Sequence, residues 1–132
     1  MEHIKKYIQE HDRFAREVGI ELIEAADGKA RAELKVEPRH YNSKGMVHGG
    51  ALFTLADLAF AAACNSRGQL AVAVNATIAF AKAVSSGKLV AEARELAFHP
   101  KLATYLVTIA DENGDPVAVF QGTAYRKKEA WV

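Results

Sequence analysis

At 132 residues, half of them hydrophobic and a quarter charged, the chain has the composition of one folded domain rather than of a disordered segment. Lys and Arg number 17 against 16 Asp and Glu, so no net charge recruits nucleic acid or a membrane surface. One cysteine, Cys64, excludes an internal disulfide, and no stretch is apolar enough for a membrane span or a secretory leader; the expectation is a single domain over residues 1–132 in the cytoplasm.

Residues 2 to about 17 carry Ile4, Ile8, His11 and Ala15 at helical spacing, with Tyr7, Phe14 and Val18 beside them, and predict a short amphipathic helix. "GIELIEA" then leads to Asp27-Gly28, a two-residue hairpin signal, and "KARAELKVE" alternates strictly. Ala30, Ala32, Leu34 and Val36 share one face; Arg31, Glu33, Lys35 and Glu37 share the other. That pattern predicts a strand with one buried and one wet face. Pro38 ends it. A polar loop, "RHYNSKGMVH", precedes a helix that opens at Gly49 or Gly50, runs to about Asn65 and is closed by Gly68. Almost every side of this helix is apolar, which predicts burial all round.

The remainder reads as strands: "LAVAVNATIAFAKAV", "GKLVAEARELAFH", "LATYLVTIAD" and "PVAVFQGTAYRKK", with an Asn113-Gly114 hairpin signal before the last. Gly122 interrupts that last strand, as a bulge or as a point of close approach. Helix, two strands, buried helix and about four strands make the fold class α+β, an antiparallel β-sheet wrapped around one long central α-helix.

Asp57 stands in the middle of the apolar helix. Aspartate is a poor helix-interior residue, and this one is too deep to be an N-cap. Burying an unpaired ionised carboxylate costs several kcal/mol, so Asp57 requires a partner, a water-lined opening or a raised pKa. A structural ion pair is one explanation. A catalytic carboxylate in a cleft is the other, because desolvation raises a carboxyl pKa and makes a better general base. The second explanation gains from "VHGG" at the mouth of the same helix. Glycines there admit a close approach to the backbone, and the first amides of a helix are unpaired donors at the positive end of its dipole. Such donors stabilise a developing oxyanion. Tight helix–sheet packing accounts for one of the glycines better than for two.

Asn42 and His48 bracket the preceding loop. Asn42 holds either a turn or an attacking water; His48 either fixes the loop or contacts substrate. No second His or Cys lies at ligand spacing, so no metal site is expected. Cys64 has no basic activator nearby and reads as a buried small hydrophobe. No phosphate-binding glycine motif is present.

The run N-x-x-G-x-x-H-G-G (Asn42, Gly45, His48, Gly49, Gly50), followed by F-T-L-A-D-L-A-F-A and C-N-S, resembles the hotdog-fold acyl-CoA thioesterases, and most of all the phenylacetic-acid-degradation (PaaI-type) branch. The resemblance implies a hotdog fold, a thioester hydrolase acting on an acyl-coenzyme A such as phenylacetyl- or hydroxyphenylacetyl-CoA, and a homodimer with shared sheets and active sites, commonly doubled to a tetramer. It implies no cofactor beyond the coenzyme A of the substrate. Asn42, His48 and Gly49 would come from one subunit and Asp57 from the other. The Gly49 amide would polarise the carbonyl, with Gly50 beside it. Asp57 would act as base or nucleophile, Asn42 would orient water or substrate, and His48 would support the loop.

Two positions depart from relatives. Ala73 stands where some carry a serine or threonine that assists the carboxylate. "HPKLAT", with His99 and Lys101, replaces a Ser-Arg-Arg-like turn that helps bind the coenzyme's phosphates; Lys82, Lys88 and Arg94 are further cationic candidates. Phe53, Phe60 and Phe80 shape either an acyl pocket or the core. An enoyl thioester hydratase and a non-catalytic acyl-CoA-binding module are the rival functions for the same fold.

Overall fold

The structure, a computed structural model, describes residues 2–131. Its elements are helices α1 (Glu2–His11) and α2 (Arg13–Val18), strands β1 (Glu21–Ala26) and β2 (Lys29–Lys35), a 3-10 turn (Pro38–His40), helix α3 (Gly49–Asn65), and strands β3 (Gln69–Phe80), β4 (Lys88–Phe98), β5 (Leu102–Ala110) and β6 (Pro116–Ala130). The six strands form one antiparallel sheet in the order β1-β2-β4-β5-β6-β3. The sheet curls around α3, which touches every strand.

The N-terminal segment is two helices, not the one that its spacing predicts. Asp12 breaks it by capping α2: its side chain accepts the Ala15 amide hydrogen at 3.0 Å. Ile4, Ile8 and Ala15 are buried as the pattern requires, but His11, at the break, is exposed and stacks on Tyr7. Gly19, in the left-handed region at φ 92°, ends α2.

The β1–β2 turn is the expected two-residue one, with positive φ at both Asp27 and Gly28. The β5–β6 turn is longer than the Asn113-Gly114 signal suggests. Asp111 organises it, its side chain accepting from the amides of Asn113 and Asp115 at 2.9 and 3.0 Å.

Helix α3 is built largely of Ala and Leu, strong helix formers. Leu52, Leu55, Ala56, Ala59, Phe60 and Ala63 bury against the sheet. Phe60 packs on Tyr105 and Phe120, with ring centroids 5.7 and 5.6 Å away, and this burial stabilises by about 2–3 kcal/mol. Gly122 makes the space: a Cβ there would lie 2.8 Å from the Phe60 ring. Of the two roles open to Gly122, the close approach is the one realised. At the far end of α3, Asn65 clamps the helix to β3, bonding both backbone groups of Ala71, and Ser66 Oγ accepts the Gly28 amide hydrogen at 2.8 Å.

The expected all-round burial of α3 is not complete. Gly50 and Phe53 are exposed, and Thr54, Asp57 and Ala61 are half-buried, which leaves a stripe of the helix open. Strand β3 is open too. It is an edge of the sheet, and Val72, Val74 and Phe80 are 41%, 58% and 56% exposed. Among the described residues, no helix is long and apolar enough to cross a membrane.

Candidate functional site

The loop before α3 is set by its own side chains. Asn42 Oδ1 accepts the amide hydrogens of Lys44 and Met46 at 2.8 and 3.2 Å and so shapes the turn that contains Gly45, at φ 75°. The Asn42 side-chain nitrogen, Nδ2, makes no hydrogen bond among the described residues and stays a donor. His48 is the N-cap of α3. Its Nδ1 accepts the Gly50 amide hydrogen at 2.8 Å. A backbone N–H can only donate, so the neutral ring carries its proton on Nε2, which is unengaged.

That cap divides the two glycine amides. Gly50 N–H is satisfied by His48, whereas Gly49 N–H has no partner among the described residues and lies at the positive end of the helix. Tight helix–sheet packing applies to one of the glycines, Gly49, as the sequence suggested; the close neighbour of Gly50 is the His48 side chain. A Cβ on Gly49 would lie 3.1 Å from the Phe80 ring, and one on Gly50 3.0 Å from His48 Nδ1.

Asn42 and Gly49 line one depression of about 350 Å³ with Leu52 and Phe80. His48 and Gly50 line a second, of about 380 Å³, with Phe14, Tyr41 and Thr54. The loop between them therefore has a cavity on either side.

Asp57 lies on the open stripe of α3, one turn beyond Thr54. No hydrogen bond or ion pair reaches its carboxylate among the described residues. Burial, and then the neighbouring charge of Asp12, push its pKa above the ordinary carboxylate value. Of the three escapes open to a buried carboxylate, the partner is absent among the described residues; Asp57 is half-buried on an open stripe, and its burial raises the pKa. Asp12 escaped notice in the sequence because it is one of several charges in a polar segment; only the fold of α2 back toward α3 brings it near.

Asn42 and Gly49 share one face of the loop, and His48 and Gly50 the other. Asp57 is two turns away along the helix. His99 and Lys101 are at the opposite end of the sheet, in the β4–β5 turn, where the Arg126 side chain donates to the carbonyls of His99 and Pro100 and its backbone amide donates to that of Lys101. Of the other cations, Lys82 is held by Asp111 and Asp115, and Lys88 faces Glu33 at 3.4 Å. Ala73 is on the exposed length of β3. Phe60 is core, while Phe53 and Phe80 reach the surface. Cys64 is buried, and burial pushes its thiol up to about 12, which leaves it protonated and inert. Among the described residues no group of three His, Cys, Asp or Glu side chains is placed to hold a metal ion.

The profile of the thioesterase superfamily matches residues 44–118. A putative esterase of Archaeoglobus fulgidus is 39% identical over 98% of this chain and 84% of its own length. The acyl-coenzyme A thioesterase PaaI of Escherichia coli is 35% identical over 89% of this chain and 84% of that protein. The solved structure of the E. coli PaaI protein from the phenylacetic acid degradation operon superposes with a TM-score of 0.92, at 32% identity, over 97% of this chain and 94% of that one.

Proposed function

The chain belongs to the thioesterase superfamily, has the hotdog fold and is an acyl-coenzyme A thioesterase; from this we propose that Asp57 is its general base and that each active site is shared by two copies. The observation that carries the proposal is the separation of the reactive groups. The Gly49 amide and Asp57 are eight residues apart on one helix, about 12 Å along its axis, too far to serve one carbonyl.

A second copy removes the difficulty. If β3 continues the sheet by pairing antiparallel with the β3 of another copy, the Phe80 end of one strand meets the Gln69 end of the other. Gly49 packs on Phe80, so Asn42, His48 and Gly49 of one copy approach Asp57, His99 and Lys101 of the other. The exposed length of β3, apolar and unpaired along its outer edge, supports this join.

In that arrangement Gly49 N–H donates to the thioester oxygen and stabilises the oxyanion that forms. Asp57 takes a proton from water as the water attacks the carbonyl carbon, the C–S bond breaks, and coenzyme A leaves as a thiolate. A carboxylate with a raised pKa is the stronger base for this step. Asn42 Nδ2 and His48 Nε2 are the donors left to orient water and substrate. Lys101 and His99 meet the coenzyme. A thioester is already activated, so the reaction needs no metal or redox cofactor. The acyl group is a compact aromatic one such as phenylacetyl; support comes from the relative encoded in the phenylacetic acid degradation operon and from Leu52 and Phe80 beside Gly49.

The test is thiol release from a panel of phenylacetyl, hydroxyphenylacetyl, benzoyl and linear acyl-CoA esters. The Asp57→Ala protein should lose turnover by roughly 10²–10⁴-fold while still binding coenzyme A. No release from any ester by the parent protein would sink the thioesterase assignment.

A further inference from the structure

A group of arginines outside the site described so far faces a depression of its own. Arg13 and Arg16 on α2, with Arg39 from the 3-10 turn, line a space of about 410 Å³ together with Glu17. Three guanidinium groups face one carboxylate there. Arg39 is held in place: its Nη1 donates to the Glu17 carbonyl at 2.8 Å, and its Nε to Glu37 at 2.7 Å. Arg16 donates to the Glu10 carbonyl at 3.0 Å. Arg13 makes no hydrogen bond or ion pair among the described residues, and neither Arg13 nor Arg16 has a carboxylate within ion-pair distance. The Glu17 carboxylate pairs with none of them.

This depression adjoins the one beside the active-site loop. Glu17 and Arg39 line both, and the second opens onto His48, Gly50 and Thr54, one turn of α3 before Asp57. Between lie Phe14, Val18 and Tyr41, so the two depressions together present a cationic end, an apolar middle and, at the far end, His48 of the active-site loop. Phe14 is 69% exposed although apolar, which fits a wall of a groove that a ligand covers. Guanidinium groups bind carboxylate and phosphate bidentately, and Arg13 and Arg16, which pair with no carboxylate among the described residues, are suited to that task beside Arg39, which Glu37 holds in place.

We propose that Arg13, Arg16 and Arg39 form an anion subsite that receives a phosphate or carboxylate group of the thioester substrate. The proposal rests on the acyl-CoA thioesterase assignment and adds a site to it. Two parts of a substrate carry such groups: the nucleotide of coenzyme A, and the far end of an acyl chain that bears a second carboxylate.

Arg13→Gln/Arg16→Gln is the test variant, since both side chains are exposed and Arg39, which braces the fold, is left alone. Three substrates are compared with the parent protein: a neutral acyl-CoA, the same acyl group on pantetheine, and glutaryl-CoA. The expected result is a KM about tenfold higher with kcat unchanged. A rise for both CoA esters and none for the pantetheine ester assigns the subsite to the coenzyme phosphates. A rise confined to glutaryl-CoA assigns it to the acyl terminus. Calorimetric binding of coenzyme A and of glutarate is measured in parallel. If the parent hydrolyses nothing but the variant loses binding of either probe, the subsite stands and the thioesterase assignment falls. Unchanged KM for every ester, or unchanged binding where nothing is hydrolysed, overturns the subsite.

Discussion

His48 Nδ1 accepts the Gly50 amide hydrogen at 2.8 Å, and by doing so it reserves the Gly49 amide, the other donor at the mouth of α3, for a ligand. Stability and chemistry at this residue are separable. His48→Ala removes the cap and should cost about 1 kcal/mol. His48→Asn keeps a capping oxygen and should melt close to the parent, yet it lacks the ring Nε2 donor and should turn over more slowly. Thermal denaturation of the two variants checks the first statement; an alanine variant as stable as the parent would contradict it.

The Asp57 carboxyl titrates above its ordinary value because of burial and then Asp12. A base must be ionised, so activity should fall as pH drops through that raised value, giving an acid limb at higher pH than a free carboxylate would. Asp12→Asn keeps a good N-cap for α2 and removes one of the two causes. Its acid limb should move to lower pH. A limb that stays where it was would mean that the two carboxylates do not interact.

The same shift has a stability consequence of opposite sign. A carboxyl whose pKa is raised on folding opposes folding wherever the unfolded group is ionised. Asp57→Asn should therefore melt higher than the parent at neutral pH. The advantage should fade as pH falls through the raised pKa, because the parent carboxyl is then protonated in the folded state too. Melting curves at neutral and acid pH decide it, and a constant difference would refute the assignment.

Gly122 leaves room for the Phe60 ring, to which a Cβ at that position would come within 2.8 Å. Gly122→Ala should destabilise by about 1–3 kcal/mol through overpacking. Phe60→Leu should relieve part of that cost, so the double variant should be more stable than the sum of the single changes by about 0.5 kcal/mol or more. Denaturant unfolding of the four proteins measures the coupling.

Sharing of the site between copies gives a complementation test. Asn42→Ala and Asp57→Ala are each expected to be nearly inactive. Mixed, unfolded and refolded together, they should recover about a quarter of parental activity, since half the dimers carry one intact site. No recovery would place all the groups of one site within a single chain.

Local signals made α3, the β1–β2 turn and the strand segments legible, because alternation, glycines and an unbroken apolar run each constrain a few neighbouring residues. The break at Asp12 was not legible. Helical spacing continues through it, and a capping aspartate looks the same as a solvated one until α2 turns. The sheet order is a non-local property that no window contains. For the site, Asn42, His48 and Gly49 are close in sequence and could be grouped on sight, whereas the influence of Asp12 on Asp57 and the meeting of Arg39 with Arg13 and Arg16 require the folded chain. Asp57 itself stood out because its surroundings contradict it, a charge among alanines and leucines.

The placement of β3 also sets a timetable. Within one chain, among the described residues, it pairs only with β6, and 36 residue steps separate Phe80 from Pro116. At ordinary rates of translation, a ribosome needs roughly 2–7 s to make that interval. During it the longest apolar strand made so far has no neighbour to pair with. A newborn chain is most open to self-association in this window, before β6 emerges, and slowing synthesis between β3 and β6 should lower the soluble yield more than the same delay placed after β6.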